Sequence, residues 1–313
     1  MIAGGGVAGL TAALFAARGG CSTLVLISVI PGGQLSTIDQ VEDFPGFLSG
    51  IAGYELGPAI QEQAANAGAE FRMAEAERLE RIDGGWRLPT GDGEIEGKTL
   101  IIATGSQARQ LGVPGEERLV GRGVSHCASC DGPLLRGKPV TVVGAGDSGL
   151  QEALTLADFA SDVLVLEQSE AATGQPVYRQ RAADRPNIRL RGHTVIDEIL
   201  GDDRVTGIRV RDVKSGEVEV LETAAVFVYV GLEPNTAFVR DLIELDAAGR
   251  IPTDVWMRTS LPGVFAAGDV RADSASQAIT AAGDGATAAI AARRFLEAQA
   301  NSAPATVGVS LAD

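Results

Sequence analysis

Short apolar runs that end in glycine recur along the chain. Three of them, residues 99–103, 225–230 and 264–267, are each followed within two residues by a glycine. Uninterrupted apolar segments this short are typical of strands buried on both faces of a parallel sheet. The pattern therefore predicts an α/β protein whose strands end in loops suited to a ligand.

The longest regularity is an internal repeat. Residues 1–28 and 140–167 each read as a strand, a G-x-G-x-x-G turn, an alanine-containing helix and a second strand. In such turns the glycines allow a tight bend, close approach to a pyrophosphate, and packing of helix on strand. These glycines are Gly4, Gly6 and Gly9 in the first turn and Gly144, Gly146 and Gly149 in the second. One such turn also occurs in ordinary α/β proteins, but two at matching spacing favour two dinucleotide sites.

Glycine and proline mark two crossings between the repeats. Residues 106–117 contain Gly112 and Pro114, and residues 231–236 have a similar composition. Segments of this kind are typical of connections between domains. We therefore predict two Rossmann-like nucleotide-binding domains of the three-layer ββα type, the second inserted in the first. Residues 1–111 and 239–313 would form the first domain, and residues 112–238 the second.

Charge and hydropathy exclude two classes of partner. The formal net charge is −15 and the sequence has no basic run, so its long-range interaction with nucleic acid would be repulsive. No apolar stretch reaches the roughly 18 residues of a membrane-spanning helix, and the chain begins in a glycine-rich loop rather than a basic and apolar leader. We therefore expect a cytoplasmic protein that binds neither nucleic acid nor a membrane.

The cysteines point to redox chemistry. Of three cysteines, only Cys127 and Cys130 lie close together, which does not suit a secreted disulfide framework. Two cysteines with this spacing at a helix start can close a disulfide, and nearby backbone N–H groups favour a thiolate. A structural crosslink and half of a zinc site are the alternatives. The sequence has no second C-x-x-C, and His126 is too near to complete a metal site alone.

The cysteine pair lies within a longer sequence motif. Residues 121–137 read GRGVSHCASCDGPLLRG. This segment resembles the active-site segment of low-molecular-weight thioredoxin reductases and, equally, of the flavoprotein subunit of alkyl hydroperoxide reductase. Matching motifs cover nearly the whole chain: GGQL at 32–35, FPGF at 44–47, ATG at 103–105, PNT at 234–236 and GVFAAGD at 263–269. The resemblance implies an FAD domain made of both chain ends, a central nicotinamide domain that carries the dithiol, and a homodimer.

The resemblance also assigns roles to the dithiol segment. Cys130 would exchange electrons with the flavin, and Cys127 would attack the disulfide of the partner. Asp131 would be the proton donor that protonates the departing thiolate. Its alternative role is a helix cap beside Gly132, and the two roles are compatible.

The flavin contacts follow from the first repeat and from the resemblance. The first glycine turn would hold the pyrophosphate, Gly33 and Gln34 would lie near the ring system, and Asp269 would bond the ribityl chain. Backbone N–H groups at Gln277 and Ala278 would face the pyrimidine edge of the ring. The full set predicted to bind FAD is Gly4, Gly6, Gly9, Gly33, Gln34, Thr104, Gly105, Gly268, Asp269, Gln277 and Ala278.

Two departures from the family pattern affect the cofactor sites. The family's Tyr-Arg-Gln before the last helix is Ala275-Ser276-Gln277 here, which removes a cation beside the flavin. NADPH-dependent members carry His-Arg-Arg after the second strand of the second repeat, where this chain has Glu167-Gln168-Ser169. Glu167 follows the glycine turn at close to the roughly 20-residue spacing of an acid that bonds a ribose 2′-hydroxyl, so NADH is favoured over NADPH.

Alternatives to NADH stay open. Arg179 or Arg181 could clamp a 2′-phosphate, and a ferredoxin could be the electron donor, although the intact second glycine turn argues against ferredoxin. The residues predicted to bind NAD are Gly144, Gly146, Asp147, Ser148 and Glu167.

The electron acceptor is expected to be a separate molecule. A thioredoxin-like protein disulfide is the first candidate, and a peroxiredoxin-linked carrier is the second. An oxygen-driven dithiol oxidase would use the same groups in reverse. The non-enzymatic alternative is a flavin redox sensor without turnover.

Overall fold

The computed structural model describes residues 1–302. The chain forms two compact units: unit 1 is Met1–Ser106 together with the chain from Pro234 onward, and unit 2 is Gln107–Glu233. These limits fall slightly before the predicted ones at 111/112 and 238/239. The turn at Gly112 is folded into unit 2, because the Glu116 carboxylate accepts the N–H groups of Leu111 and Gly112 at 2.9 and 2.7 Å. Residues 303–313 of the predicted first domain lie outside the described residues.

Residues 1–302 contain eighteen strands and seven α-helices. The strands are β1 (Ile2–Ala3), β2 (Leu24–Ile27), β3 (Glu70–Met73), β4 (Glu80–Ile82), β5 (Gly85–Thr90), β6 (Gly93–Gly97), β7 (Leu100–Ile102), β8 (Ser106–Ala108), β9 (Val124–Ser125), β10 (Pro139–Val143), β11 (Asp162–Leu166), β12 (Ile188–Arg191), β13 (Thr194–Leu200), β14 (Gly207–Asp212), β15 (Val218–Glu222), β16 (Val226–Val228), β17 (Leu232–Pro234) and β18 (Val264–Ala266). The helices are α1 (Val7–Arg18), α2 (Gly53–Asn66), α3 (Glu116–Leu119), α4 (Ala128–Asp131), α5 (Asp147–Ala157), α6 (Pro176–Ala183) and α7 (Ala278–Ser302). Short 3₁₀ turns cover Gly33–Thr37, Gly132–Leu135, Ala237–Val239 and Gly268–Val270.

Unit 1 is built on a parallel sheet in the order β18-β7-β1-β2-β3. Ile101 of β7 packs among alanines of α1 and α7 on one face, whereas its neighbours Leu100 and Ile102 pack on the other face against the antiparallel strands β4–β6. Strand residues alternate between faces, so an apolar run covers both. Gly285 lets α7 approach α1 closely, because a Cβ there would lie 2.1 Å from the Ala8 carbonyl oxygen.

Unit 2 repeats this plan. Its parallel sheet has the order β12-β11-β10-β16-β9. Val142 of β10 packs against α5 and α6, and Val143 packs against the antiparallel strands β13–β15 on the other face. The predicted fold class, two Rossmann-like units with the second inserted in the first, is confirmed.

The last helix is longer than predicted. The sequence indicates a helix over residues 277–295 with a frayed tail after Glu297, but α7 continues to Ser302. Residues after Ser302 lie outside the described part. None of the helices in residues 1–302 is both long enough and apolar enough to span a membrane.

Candidate functional site

The first glycine turn connects β1 to α1 in unit 1. A Cβ on Gly4 would lie 2.2 Å from the Ala103 carbonyl oxygen, and one on Gly9 would lie 1.9 Å from the Gly4 carbonyl oxygen, so neither position accepts a side chain. Gly6, directly before α1, is different: apart from Gly6 itself and its two chain neighbours, no heavy atom of the described residues lies within 4 Å of where its Cβ would be. The first turn of α1 contains no acidic residue. Open space in front of a helix start without acidic residues suits a phosphate.

Gly33 and Gln34, the residues predicted to lie near the flavin ring system, lie beside this turn. Gly32 pairs with Gly6 in an isolated bridge, and a Cβ on Gly33 would lie 3.2 Å from Gly6 Cα. The Gln34 side-chain amide donates to the backbone oxygen and hydroxyl of Ser106 at 2.9 and 3.1 Å, which fixes its orientation.

Thr104 and Gly105 follow β7, the neighbour of β1 in the sheet. The Thr104 hydroxyl donates to the Asn235 backbone oxygen at 2.8 Å, and the Asn235 amide donates to the Thr104 oxygen at 2.9 Å. Thr104 thus holds the two chain segments of unit 1 together. Gly105, with φ of 63° and open space where a Cβ would be, leaves room for a ligand beside them.

Gly268 and Asp269 follow β18. A Cβ on Gly268 would lie 3.0 Å from Ala8 Cβ, which places this turn against the first turn of α1. Burial raises the pKa of Asp269 above its usual range, although the Ser274 hydroxyl, which donates to Oδ1 at 3.3 Å, partly opposes the shift. A half-buried carboxyl with a raised pKa is suited to hydrogen-bond a ligand hydroxyl.

Sequence reasoning missed an ion pair beneath this turn. Arg271 Nε and Nη2 donate to the two oxygens of Asp284 at 2.6 and 3.1 Å, and Asp284 also accepts the Gly268 N–H at 3.1 Å. Asp284 is 7% exposed. A single acid between two glycines in an alanine-rich helix is the signal that could have revealed it.

The start of α7 carries the last predicted flavin contacts. The Gln277 carbonyl accepts the Ala281 N–H at 3.0 Å, and Ala278 begins the helix. Ser276, which stands where the family has arginine, has a left-handed φ of 52°. Non-glycine residues rarely adopt this conformation, so the backbone is strained directly before the helix.

Together these residues fit the diphosphate and ribityl parts of FAD. The fit rests on the open position at Gly6 beside two glycines that cannot carry side chains, and on the half-buried Asp269 at the adjoining turn. The assignment of unit 1 to FAD and of individual contacts stays a prediction.

The second glycine turn, in unit 2, has the same constraints. A Cβ on Gly144 would lie 2.2 Å from the Tyr229 oxygen, one on Gly149 would lie 1.9 Å from the Gly144 oxygen, and one on Gly146 would only reach the Thr173 hydroxyl at 3.9 Å. Unlike α1, α5 has an acid in its first turn, Asp147, whose carboxylate accepts the backbone and side-chain N–H groups of Gln175 at 2.6 and 2.9 Å.

Ser148 lies next to Asp147 on this turn and is exposed. Its hydroxyl is therefore accessible to a ligand at the start of α5. The role of Ser148 in nucleotide binding stays a prediction.

Glu167 lies directly after β11 and faces the second turn. Its Oε2 accepts the Ala145 N–H at 2.9 Å, and its Oε1 accepts the Ser169 N–H and hydroxyl at 3.0 Å each. Burial opposes ionisation, but these hydrogen bonds from Ser169 and Ala145 outweigh it and lower the pKa of Glu167. A fixed anionic acceptor therefore stands at the edge of the second glycine turn.

Cys127 and Cys130 form a disulfide with an S–S distance of 2.05 Å. Cys127 directly precedes α4, its N–H donates to the Ser125 hydroxyl at 3.1 Å, and its Sγ accepts the Cys130 N–H at 3.2 Å. Asp131 ends α4, and within the described chain its side chain makes no capping hydrogen bond to the 3₁₀ turn that follows. Among residues 1–302 no group of three or more acidic, histidine or cysteine side chains could hold a metal ion.

Two residues that sequence reasoning missed lie beside the dithiol. Glu152 of α5 accepts the Ala128 N–H at 2.9 Å and the Tyr229 hydroxyl at 3.2 Å. Glu152 shares a helix stripe with the buried residues Gly149, Ala153 and Leu156, and a carboxylate in an otherwise apolar stripe is the signal for it.

Known proteins match this chain over nearly its whole length, including the glycine turns and the cysteine pair. Residues 1–285 match the family described as pyridine nucleotide-disulphide oxidoreductase. The chain belongs to this family. A thioredoxin reductase of Treponema pallidum is 39% identical over 301 residues, covering 96% of this chain and 98% of the relative. A thioredoxin reductase of Mycolicibacterium smegmatis is 41% identical over 300 residues, covering 96% of both chains.

Solved structures agree. The thioredoxin reductase of Lactococcus lactis superimposes with a TM-score of 0.93 at 39% identity and covers 95% of this chain and 98% of its own. The predicted resemblance to low-molecular-weight thioredoxin reductases is therefore confirmed, as is the prediction of a flavoprotein oxidoreductase. The Cys127–Cys130 disulfide fits the redox-active dithiol of such an enzyme.

Proposed function

We propose that this enzyme passes electrons from NADH, through FAD and the Cys127–Cys130 dithiol, to the disulfide of a thioredoxin-like protein. Unit 2 supports the proposal because one helix, α5, begins at the nucleotide-type turn and contacts the dithiol segment through Glu152. The observation that carries the choice of NADH is the carboxylate of Glu167, held at the edge of that turn by Ala145 and Ser169.

A carboxylate in this place distinguishes the two nicotinamide nucleotides. Glu167 Oε2 accepts the Ala145 N–H, and a carboxylate oxygen can accept a second hydrogen bond, here from a ribose 2′-hydroxyl. A 2′-phosphate would offer this carboxylate only repulsion. NADH therefore fits the site better than NADPH.

The two candidate phosphate clamps lie in different places. Arg179 lines a cavity of about 230 Å³ with Ala171 and Ala172, which follow the Glu167 loop. Arg181, on the same short helix, lines a separate cavity with Asp184 and Arg185. The two arginines therefore line different cavities, and each is a separate candidate for a contact with a 2′-phosphate.

Bound FAD would supply a two-electron relay between the nicotinamide and the disulfide. In unit 1, the N–H groups at the start of α1 would bind its diphosphate, and Asp269 would hydrogen-bond its ribityl chain. In unit 2, two electrons break the Cys127–Cys130 bond, and the sulfurs take up protons to form two thiols. Asp131 would donate or hold a proton at the Cys130 sulfur.

The reduced dithiol would then attack the partner. Cys127 loses its proton, and its thiolate forms a mixed disulfide as the partner's own disulfide breaks. Cys130 attacks that mixed disulfide, which restores the Cys127–Cys130 bond and releases the partner as a dithiol. Leu134, four residues after Cys130 and 75% exposed, would be available to contact a docked protein partner.

The test is stopped-flow reduction of the FAD-loaded enzyme by NADH, NADPH and reduced ferredoxin, followed at the flavin absorbance. We expect NADH to bleach the flavin with the highest catalytic efficiency, and addition of oxidised thioredoxin to restore the colour. Cys130→Ser should still be bleached by NADH but should reduce no thioredoxin, because a single thiol cannot complete the exchange.

Other outcomes would replace parts of the proposal. Equal or better use of NADPH would transfer nucleotide selection to Arg179 or Arg181, and bleaching by ferredoxin alone would replace NADH as donor. Turnover only with a peroxiredoxin-linked carrier would change the acceptor. Bleaching without reduction of any disulfide would favour a redox sensor.

A further inference from the structure

The carboxylate of Glu152 connects the two functional segments of unit 2. Glu152 lies in the second turn of α5, the helix that begins at the glycine turn, and its Oε2 accepts the N–H of Ala128 at 2.9 Å. Ala128 lies between the two cysteines and is fully buried. The hydrogen bond therefore fixes the backbone of the dithiol segment from a neighbouring helix.

A second donor orients the same oxygen. The Tyr229 hydroxyl donates to Glu152 Oε2 at 3.2 Å. Burial, the Glu152 charge and the hydrogen bond to it raise the pKa of Tyr229 far above its ordinary value, with a smaller contribution from Asp131. Tyr229 therefore remains a neutral donor over the physiological pH range, and the oxygen stays aimed at the dithiol segment.

Glu152 is one of several ionisable groups around the dithiol. Asp131 ends α4, and the His126 ring contacts the Val228 backbone oxygen through Nδ1 at 3.0 Å. Arg136, after the 3₁₀ turn that follows α4, lies over the Phe159 ring at 5.4 Å. Within this set, Glu152 is the acid that hydrogen-bonds the backbone between the cysteines.

We propose that Glu152 is a positioning residue of the dithiol, and that its negative charge opposes thiolate formation once the disulfide is reduced. A thiol becomes a thiolate by releasing one proton, and a nearby carboxylate makes that release less favourable. The reduced pair would then remain largely protonated until a partner docks, which limits its reaction with oxidants and small disulfides.

The size of the effect follows from Coulomb's law. A unit charge roughly 6 Å away, at an effective dielectric between about 20 and 80, changes the ionisation constant of a thiol roughly 3- to 100-fold. Removing the charge should increase the thiolate fraction at neutral pH by a factor in this range.

The test compares Glu152→Gln with the wild type, because glutamine keeps the size and an acceptor oxygen but removes the charge. The FAD-loaded enzyme is reduced with excess dithiothreitol, and alkylation of Cys127 by iodoacetamide is followed against pH by mass spectrometry, which separates it from Cys21. We expect the alkylation profile of Glu152→Gln to move to lower pH, with at least a 3-fold faster reaction at pH 7.

A second readout is the equilibrium with glutathione. A charge that disfavours the thiolate weakens the reduced pair only where the thiolate is a major species. Glu152→Gln should therefore stay close to the wild-type equilibrium at a pH where the pair is protonated, and should shift toward the dithiol by up to a similar factor as pH rises above the thiol pKa. A tenfold change corresponds to about 30 mV for this two-electron couple.

Two controls separate charge from structure. Tyr229→Phe removes a donor but keeps the carboxylate, so its alkylation profile should stay close to that of the wild type. Glu222→Gln removes an equal charge from the exposed end of β15, among the strands that pack on the face of the sheet opposite α5, and should leave the profile unchanged. An unshifted profile in Glu152→Gln would overturn the proposal, as would equal shifts in it and in Tyr229→Phe.

The proposal stays testable if Glu152→Gln fails to fold. If Glu152→Gln does not load flavin, Glu152→Asp, which keeps the charge, must retain the wild-type profile, and a shift there would refute the role of charge. This inference rests on the redox role of the dithiol in the proposed function. Thiol titration needs neither NADH nor thioredoxin, so its failure is distinguishable from failure of either.

Discussion

The two glycine turns share one backbone frame, and one of the side chains in which they differ stands at the end of the second strand. The Gly4 N–H donates to the Leu26 oxygen at 2.9 Å, and the Gly144 N–H donates to the Leu166 oxygen at 2.8 Å. The residues that follow these leucines, Ile27 and Glu167, therefore occupy equivalent positions.

At this position the side chain is apolar in unit 1 and charged in unit 2. Ile27 is 2% exposed and packs over Gly5, where a Cβ would lie 2.7 Å from its side chain. Glu167 instead accepts the N–H of Ala145, the counterpart of Gly5. Under the proposed function, the shared fold would provide a place for a diphosphate in each unit, whereas the strand-end side chain would decide whether ribose hydroxyls are recognised as well.

The largest expected effect comes from placing a negative charge in one glycine turn at a time. Gly6 and Gly146 have ordinary negative φ angles and space for a side chain, and aspartate is a good residue before a helix, so Gly6→Asp and Gly146→Asp should fold. Each new carboxylate would repel a diphosphate. We expect Gly6→Asp to contain at least about 10-fold less bound FAD than the wild type. We expect Gly146→Asp to keep its FAD but to have a KM for NADH roughly 10- to 100-fold higher.

Flavin absorbance per protein and steady-state kinetics measure these effects. The neutral variants Gly6→Asn and Gly146→Asn are the matched controls and should show much smaller changes. If both aspartate variants lost the flavin, or both kept it and lost NADH, the two turns would not serve different cofactors.

A smaller effect is expected at the strand end. Glu167→Gln should reduce the preference for NADH over NADPH by about one to three decades, mainly through a lower KM for NADPH, because the repulsion of the 2′-phosphate is removed. Glu170→Gln is the control, since Glu170 is exposed in the same loop. An unchanged preference in Glu167→Gln would contradict the contrast between Ile27 and Glu167.

The smallest effect concerns Asp269 in the absence of flavin. Its pKa is raised in the folded state, so this group favours folding below its unfolded pKa, and that contribution is lost as pH rises through the folded pKa. At pH 7 the ionised carboxyl therefore destabilises the apoprotein. Asp269→Asn should raise the apoprotein melting temperature at pH 7 by roughly 1 to 3 °C while weakening FAD binding.

The pH dependence checks the cause. The difference in melting temperature between Asp269→Asn and wild-type apoprotein should shrink as pH falls, because the wild-type carboxyl takes up its proton at a higher pH in the folded state than in the unfolded chain. A difference that grows on acidification would show that Asp269 is stabilised, rather than destabilised, as an anion.

Local patterns made much of this molecule predictable from its sequence. The glycine turns and the C-x-x-C pair depend on residues a few positions apart, so their location and the two-unit fold could be inferred. Glu152 and the Arg271–Asp284 pair could not, because their partners are brought near only by the packing of separate elements. The Glu116 hydrogen bond to Gly112 was likewise hidden from the sequence, since glycine and proline there resemble a linker.

The close packing of α1 against α7 has a consequence for synthesis of the protein. These helices come from opposite ends of the described chain, and Gly285 seats one on the other, so unit 1 cannot complete its core until the last helix has left the ribosome. Unit 2 is continuous in sequence and can fold before that point. The cysteine pair can therefore lie in a folded unit 2 while unit 1 is still unfinished, so the surroundings of the nascent chain can act on the pair before the rest of the molecule is complete.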